Sequence, residues 1–281
     1  MPSMKAIKRR IASVDTTKKI MKAMDMVAAA KLQKAKTRLE GVRPFAAEAR
    51  NILSAIDYEE ARGNMFFKPR KVTHTAYVVI TSDRGLCGSH NVNLTEKVLS
   101  HIGAAQNERI IAVGLKGHEY FSARGKNILR TYPDVSETVF YADAMRIADY
   151  MTSLFTSGEV DEVYAAYTQF ESALTHVPRI VKILPLPLRL AAAPRADDMR
   201  YDPDVHSFLD HTIPMFLNAF VYAALIESSA CEQAARMISM ESAVDNASDI
   251  ISKLTRTYNR RRQTAITQEI SEIVSSANTM K

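Results

Sequence analysis

The sequence predicts an α/β central domain, doubly wound with about five mostly parallel strands, carried by a long antiparallel coiled coil of the N- and C-terminal helices. Two patterns in the 281 residues lead to this fold class. Apolar residues recur every seven positions near both ends of the chain, and short β-branched runs alternate with helical patterns between them. The predicted segments are 1–58 (first helix), 72–190 (α/β domain), 191–204 (linker) and 205–281 (last helix).

The first helix is predicted from a heptad repeat. Every seventh residue from Ile7 to Ile56 is apolar, and a companion row beginning at Met4 is apolar except at Lys18 and Asp25. Met24 fills the seam next to those two exceptions. A helix of this length would run roughly 80 Å, at 1.5 Å per residue, and would need a partner along its side.

The last helix supplies that partner. Its heptad row runs from Phe216 to Ala265, and the apolar phase then shifts to Ile266, Ile270 and Ile273. This shift predicts that the last turns face a different surface from the rest of the helix. Because the first helix leads into the central domain and the last helix leads out of it, the two are expected to pair antiparallel.

The central segment alternates strands and helices, as in a Rossmann-like, doubly wound domain. The predicted strands are Ala76–Thr81, Arg109–Gly114, Glu162–Tyr167 and Arg179–Leu184, and the predicted helices include Leu94–Ile102 and Ala142–Phe155. Ala76–Thr81 is a continuous apolar run, which is typical of a strand buried on both faces. Four prolines mark the exit linker: Pro185, Pro187, Pro194 and Pro203.

Charge and composition restrict the class of protein. Residues 1–50 hold 13 Lys and Arg against four acids, a net charge of +9, so the remainder of this +6 chain is slightly acidic. A basic helix of this kind suits nucleic acid, an anionic membrane surface or an acidic protein, unless it is simply solvated. The two cysteines, Cys87 and Cys231, exclude a disulfide scaffold and favour a reducing compartment.

Membrane spans and secretion signals are not expected. The nearest apolar stretch, Ile213–Ile226, is shorter than the 18 or so residues that a span needs. The basic N-terminus lacks an apolar core, so we expect no secretory signal and a chain that is mature from Met1.

The loop after the first predicted strand is the main candidate for chemistry. Its sequence, SDRGLCGSHN, lies where α/β folds bind phosphate, but it lacks the glycine spacing of the known phosphate loops. Gly85 and Gly88 are therefore expected to form a tight strand-to-helix turn, as are Gly114 and Gly117 after the second strand. Cys87 has no evident base beside it, so a structural turn cysteine is favoured over a nucleophile. The seven histidines show no metal-ligand spacing.

An arginine cluster near the end of the last helix is the other candidate. It consists of Arg256, Arg260, Arg261 and Arg262. These side chains form either a solvated helix face or a set of guanidinium groups for an acidic partner protein.

Long ordered motifs give the chain a family resemblance. They are IKRRIASVDTTKKIMKAMDMVAAAKLQKAK (7–36), SDRGLCG (82–88), GLKG (114–117), EQAARMISMESAVDNA (232–247) and YNRRRQTAITQEISEIVSSA (258–277). In this order the motifs resemble those of the γ subunit of bacterial F-type ATP synthase, and the resemblance covers nearly the whole chain. Cys231 and Ser276 depart from it, where the family usually has Ser and Gly.

The resemblance implies a non-catalytic central rotor. In the family, the paired helices turn inside a ring of three α and three β subunits, and the α/β domain contacts the ε subunit and the c-ring. Rotation couples transmembrane ion flow to the conformational cycle of the β subunits. The resemblance further implies a peripheral position on the cytoplasmic face of the cell membrane, without direct insertion into the membrane. It also implies that the chain has no catalytic residue and binds no cofactor, metal or nucleic acid.

The resemblance also assigns residues to β-subunit contacts. These are Met24, Arg236, Arg262, Gln263, Gln268 and Glu269. Two other classes of function stay open on the residues alone: a basic coiled-coil scaffold or nucleic-acid-binding protein with an α/β domain, and an α/β enzyme with helical extensions.

Overall fold

The structure is a computed structural model that describes residues 3–55, 63–103, 107–186 and 204–279. Its elements, in chain order, are α1 (Met4–Ala55), β1 (Thr75–Ile80), α2 (His90–Ile102), β2 (Glu108–Val113), α3 (Leu115–Ser122), β3 (Ile128–Tyr132), α4 (Tyr141–Thr156), β4 (Glu162–Phe170), β5 (His176–Leu184) and α5 (Val205–Thr279). The predicted fold class, an α/β sheet between two terminal helices, is confirmed.

The five strands form one mixed sheet in the order β3-β2-β1-β4-β5. β1 pairs in parallel with both β2 and β4, β3 pairs in parallel with β2, and β5 is antiparallel to β4. β3 has no counterpart among the four strands that the sequence singled out. Its run ILRTY is only five residues long and mostly half-buried, so it lacks the continuous apolar signature of a central strand.

The sheet core explains why β1 lies at the centre. All six residues of β1 are buried, as expected of a parallel strand with helices on both faces. On one face, residues of β1, β2 and β4 pack against α2 and α3 in an apolar cluster: Tyr77, Val79, Leu94, Val98, Ile102, Ile110, Phe121 and Ala166.

The chain divides into two compact units. The sheet unit is Ala29–Arg236, and the helix-pair unit is Met1–Ala28 with Met237–Lys281. Within the sheet unit, Arg43 of α1 contacts Glu227 of α5 at 3.2 Å. This contact joins the two terminal helices within the sheet unit.

The heptad rows are the buried faces of both terminal helices. In the helix-pair unit, Ile7 and Ala28 of α1 are buried, as are Met240 and Ala247 of α5, which are seven residues apart. In the sheet unit, Leu32 and Leu39 of α1 continue the companion row and are also buried. The predicted domain limits stay a prediction, and of the predicted linker only Asp204 lies within the described residues.

Among the described residues, one helix is long and apolar enough to cross a membrane by length and composition. It is Val205–Val274 of α5, in which an 18-residue window has a mean hydropathy of 1.3. The sequence predicts no such segment, because its apolar residues form no unbroken run of that length even though their average hydropathy over the window is favourable. Because 67% of the window is buried inside the protein, the segment has the property of a core helix and is weak evidence for a span.

Candidate functional site

The carboxyl edge of the sheet is where a doubly wound fold usually binds its ligand. The crevice lies at the point where the strand order reverses, which is between β1 and β4 in this sheet. Here α5 fills that place. The Ser228 hydroxyl donates to the carbonyl of Ile80 at 3.3 Å, and the Cys231 thiol donates to the carbonyl of Thr168 at 3.4 Å. The chain's own helix thus occupies the position that a bound nucleotide takes in other proteins of this class.

Asp83, in the loop after β1, is the centre of the polar contacts at this edge. Its carboxylate accepts hydrogen bonds from the Leu115 amide at 3.1 Å and from the Ser136 hydroxyl at 2.9 Å. Ser136 lies between β3 and α4, and its carbonyl accepts a hydrogen bond from the Ser229 hydroxyl of α5 at 2.9 Å. Asp83 and Ser136 are both buried, so this network joins the ends of three strands to α5.

Glu232 and Arg236 form an ion pair beside this network. The guanidinium of Arg236 lies 2.7 Å from Glu232 Oε1 and also donates to the carbonyl of Gly85 at 3.3 Å. Glu232 is only 2% exposed. Burial raises the pKa of its carboxyl group, and the positive charge of Arg236 opposes that rise. The Arg236 side chain, predicted to contact a β subunit, is 12% exposed and engaged within its own chain.

A second ion pair joins α1 and α5 to the end of β4. The guanidinium of Arg43 lies 3.2 Å from Glu227 and donates to the carbonyl of Phe170 at 2.7 Å. Burial raises the pKa of the Glu227 carboxyl group, and Arg43 counteracts that effect. Both terminal helices are therefore attached to the sheet by charged groups as well as by apolar packing.

The predicted turn glycines occupy different environments. Gly88 and Gly114 have φ angles of 56° and 89°, which L side chains rarely adopt. A Cβ on Gly114 would lie 2.3 Å from the Thr81 carbonyl, and one on Gly117 would lie 2.8 Å from the Thr81 hydroxyl. Gly85 has open space around it. Leu86 is the residue that takes a left-handed φ, 64°, in the same loop, which the sequence analysis did not anticipate.

Cys87 is a poor candidate for a nucleophile. The side chain is buried, it accepts a hydrogen bond from the Asn91 amide at 3.3 Å, and burial raises the pKa of its thiol. Since the thiolate is the nucleophilic form, this environment disfavours covalent chemistry. Within the described ranges, no group of three or more His, Cys, Asp and Glu side chains is arranged to hold a metal ion.

His90, the first residue of α2, is a buried imidazole that the sequence analysis did not single out. It is 6% exposed, and neither ring nitrogen has a hydrogen-bond partner among the described residues. Burial lowers its pKa to about 4, helped by repulsion from His176 and Arg236. His90 is therefore held neutral near pH 7.

The predicted subunit contacts of the helix-pair unit lie on both helices. Met24 is half-buried in α1, while Arg262, Gln263, Gln268 and Glu269 are exposed on α5. The Gln268 amide donates to Glu272 at 2.8 Å. After the phase shift, α5 also exposes Ile266, Ile270, Ile273 and Val274, with 45% to 65% of each residue accessible. This spacing places an apolar stripe on one helix face. The subunit contacts themselves stay a prediction.

The network around Asp83, Ser136 and Glu232 is not predicted by the sequence patterns. One signal was present: the run ESSACE (227–232) places five polar or thiol side chains within a helix whose seam is otherwise apolar. The partners could not be found this way, because Asp83 and Ser136 are far from that run in sequence and meet it only through the sheet topology.

Comparisons with known proteins agree with this architecture. The profile of the ATP synthase family matches residues 3–280. The ATP synthase gamma chain of Alkaliphilus metalliredigens is 42% identical over 285 residues, and that of Heliobacterium modesticaldum is 40% identical over 286 residues, each match covering 99% of both chains.

Solved structures give the same result. A chain of the central stalk and c-ring assembly of Tetrahymena thermophila mitochondrial ATP synthase is 26% identical, with a TM-score of 0.65, and the match covers 80% of this chain and 99% of that one. A chain of the Euglena gracilis mitochondrial ATP synthase shares the fold with a TM-score of 0.74 at 17% identity, covering 99% and 94% of the two chains. The chain described here therefore belongs to the ATP synthase gamma chain family, the central stalk subunits of the F-type enzyme.

Proposed function

We propose that this chain is the central rotary shaft of an ATP synthase, coupling transmembrane ion flow to the conformational cycle of the catalytic β subunits, in the direction of ATP synthesis or hydrolysis. The observation that carries the proposal is the end of α5, where an exposed apolar stripe lies beside Arg262 and Gln263. Together with membership of the gamma chain family, this surface favours a helix that functions inside a sleeve of other subunits.

The proposed partners are three α and three β subunits around the helix-pair unit, with the ε subunit and the c-ring against the α/β domain. The chain would be a non-catalytic subunit on the cytoplasmic face of the cell membrane. A single asymmetric shaft cannot make three equivalent interfaces at once within a pseudo-threefold ring. Each β subunit therefore meets a different face of the shaft, and the differences in contact energy bias its conformational equilibrium.

The charges of the chain support the same assignment. The first 50 residues carry a net charge of +9, which suits acidic loops on the surrounding subunits. Arg262 is proposed to form a charge-assisted hydrogen bond with such a loop, alongside Gln263. We also propose contacts with β subunits in the same sleeve for Met24, Gln268 and Glu269. Arg236 is proposed to contact a β subunit through the part of its side chain that stays exposed.

Arg262→Ala, made in the complete enzyme reconstituted into vesicles, tests this function. Loss of a buried charge-assisted contact should lower ATP synthesis driven by an ion gradient about tenfold or more, while the complex still assembles. Lys253→Ala is the matched control, because Lys253 is also an exposed cation on α5 but belongs to none of the predicted contacts. The proposal fails if the wild-type chain does not assemble with α and β subunits into a cooperative ATPase, or if both variants synthesise ATP at the wild-type rate.

A further inference from the structure

One face of α5 carries polar side chains where the helix crosses the carboxyl edge of the sheet. Ser228, Ser229, Glu232 and Arg236 are spaced by one, three and four residues, which places them along one side of a helix. Ser228 bonds to the carbonyl of Ile80, Ser229 to that of Ser136 and Arg236 to that of Gly85. These acceptors belong to three different segments at the sheet edge, so the face is bonded along its length.

We propose that Ser229, Glu232 and Arg236 of α5, together with Asp83 and Ser136 at the sheet edge, form a polar clamp. The clamp fixes the rotational setting of α5 against the sheet and so passes torque between the α/β domain and the helix. The inference rests on the proposed rotary function and adds positioning residues to it. α5 continues without a break from Val205 to Thr279, so a constraint applied at Ser229 and Glu232 acts on the same helix that carries Arg262.

Directional bonds are needed to fix the rotation of α5, because apolar packing alone gives little resistance to rotation of the helix about its axis. The apolar residues of α5 in the sheet unit, among them Leu217 and Leu225, are fully buried, but dispersion contacts are non-directional and can be replaced by similar ones. Hydrogen bonds weaken steeply away from linear geometry. A shift of one residue turns a helix by about 100°, which would separate Ser229 from the Ser136 carbonyl and Arg236 from the Gly85 carbonyl.

Burial makes the clamp costly to open. Glu232 is 2% exposed and Ser136 is 5% exposed, and the Ser136 hydroxyl donates a hydrogen bond to Asp83. Slippage of α5 would break the hydrogen bonds from Ser229 to the Ser136 carbonyl and from Arg236 to the Gly85 carbonyl. Buried polar groups that lose their hydrogen-bond partners cost free energy. The neighbouring pair of Arg84 and Glu137 is more exposed, with 34% of the Glu137 side chain accessible, and lies outside the clamp.

Glu232→Gln in the complete membrane-reconstituted enzyme tests the clamp. ATP hydrolysis and ATP-driven ion pumping are measured in the same vesicles, together with the amount of assembled complex. We expect ions pumped per ATP hydrolysed to fall about threefold or more, because without the Glu232 charge Arg236 is no longer held toward the Gly85 carbonyl and torque slips. A purely structural defect would lower the amount of complex and reduce both rates in proportion. Glu137→Gln is the matched control and should keep the wild-type ratio.

A wild-type pumping ratio in assembled Glu232→Gln enzyme would overturn the clamp, and so would an equal fall in the Glu137→Gln control. If Glu232→Gln does not assemble, Ser229→Ala removes only the hydrogen bond to the Ser136 carbonyl and should give a smaller fall in the same ratio, whereas an unchanged ratio would overturn the inference. Failure of the rotary function itself is recognised separately, because the wild-type chain would then support no ATP-driven pumping.

Discussion

The sheet unit and the helix-pair unit use apolar residues in opposite ways. In the sheet unit, the side chains of β1 and the core-facing residues of α2 and α3 are enclosed, and exposed apolar residues such as Leu86, Val92 and Leu174 are scattered over loops and helices. In the helix-pair unit, exposed apolar residues recur at helical spacing at Ile266, Ile270 and Ile273. Scattered exposed residues are ordinary, but a periodic exposed stripe indicates a surface for a partner. The sheet unit thus carries its own core, and the helix-pair unit presents a periodic apolar surface on its exterior.

The largest effect is expected in the sheet unit, from Phe121→Ala. Phe121 of α3 is fully buried in the cluster against β1 and β2. Removing its ring should lower the free energy of unfolding by about 3–5 kcal/mol, since the cavity refills only in part. The measurement is urea unfolding of the purified chain. Leu174→Ala is the control, because Leu174 is 82% exposed and should change stability by less than about 0.5 kcal/mol. Equal effects of the two variants would contradict the enclosed core.

A smaller effect, visible only on acidification, is expected from His90. The pKa of His90 is lowered from its ordinary value of 6.5 in the unfolded chain to about 4 in the folded chain. As the pH falls, the unfolded state therefore takes up a proton at His90 before the folded state does. The stability that comes from keeping His90 neutral is fully present above pH 6.5. As the pH falls from 6.5 towards 4, the free energy of unfolding decreases by up to about 3 kcal/mol.

His90→Leu should remove that part of the acid sensitivity. Between pH 6.5 and pH 4, the variant's free energy of unfolding should fall less steeply than that of the wild type, measured by urea unfolding at several pH values. His211→Gln serves as the control, since His211 is exposed and its replacement should leave the slope unchanged. Parallel wild-type and His90→Leu profiles would show that His90 is not held neutral by the fold.

The two units were also predictable from sequence to different degrees. The helix pair follows from its heptads, because the apolar residues repeat every seven positions within each helix and their recognition needs no knowledge of distant partners. Ile7 and Ala28 of one row, and Met240 of another, are buried as this repeat predicts. β1 was equally clear, since a strand buried on both faces is apolar throughout. β3 was not identified, because a short, half-buried strand leaves no such pattern.

The carboxyl edge could be predicted only in part. The loop SDRGLCG was singled out from its glycines, but the positive φ of Leu86 depends on contacts that sequence spacing does not encode. The joining of Asp83, Ser136 and Glu232 depends on the strand order and on α5 entering the crevice between β1 and β4. Long-range polar contacts of this kind carry no local periodicity, so they become visible only when the topology is known.

The smallest effect on the isolated chain is expected in the helix-pair unit, from Ile270→Ala. Ile270 is 56% exposed, so the free energy of unfolding should change by no more than about 0.5 kcal/mol. In the proposed sleeve the same side chain becomes buried, and losing its methyl and methylene groups should weaken assembly with α and β subunits by about 1–2 kcal/mol, roughly tenfold in the dissociation constant. Titration of the purified subunits measures this constant, with Lys253→Ala as the exposed control. A variant that destabilises the isolated chain but assembles normally would reverse the comparison, because it would place Ile270 in a core of the chain itself.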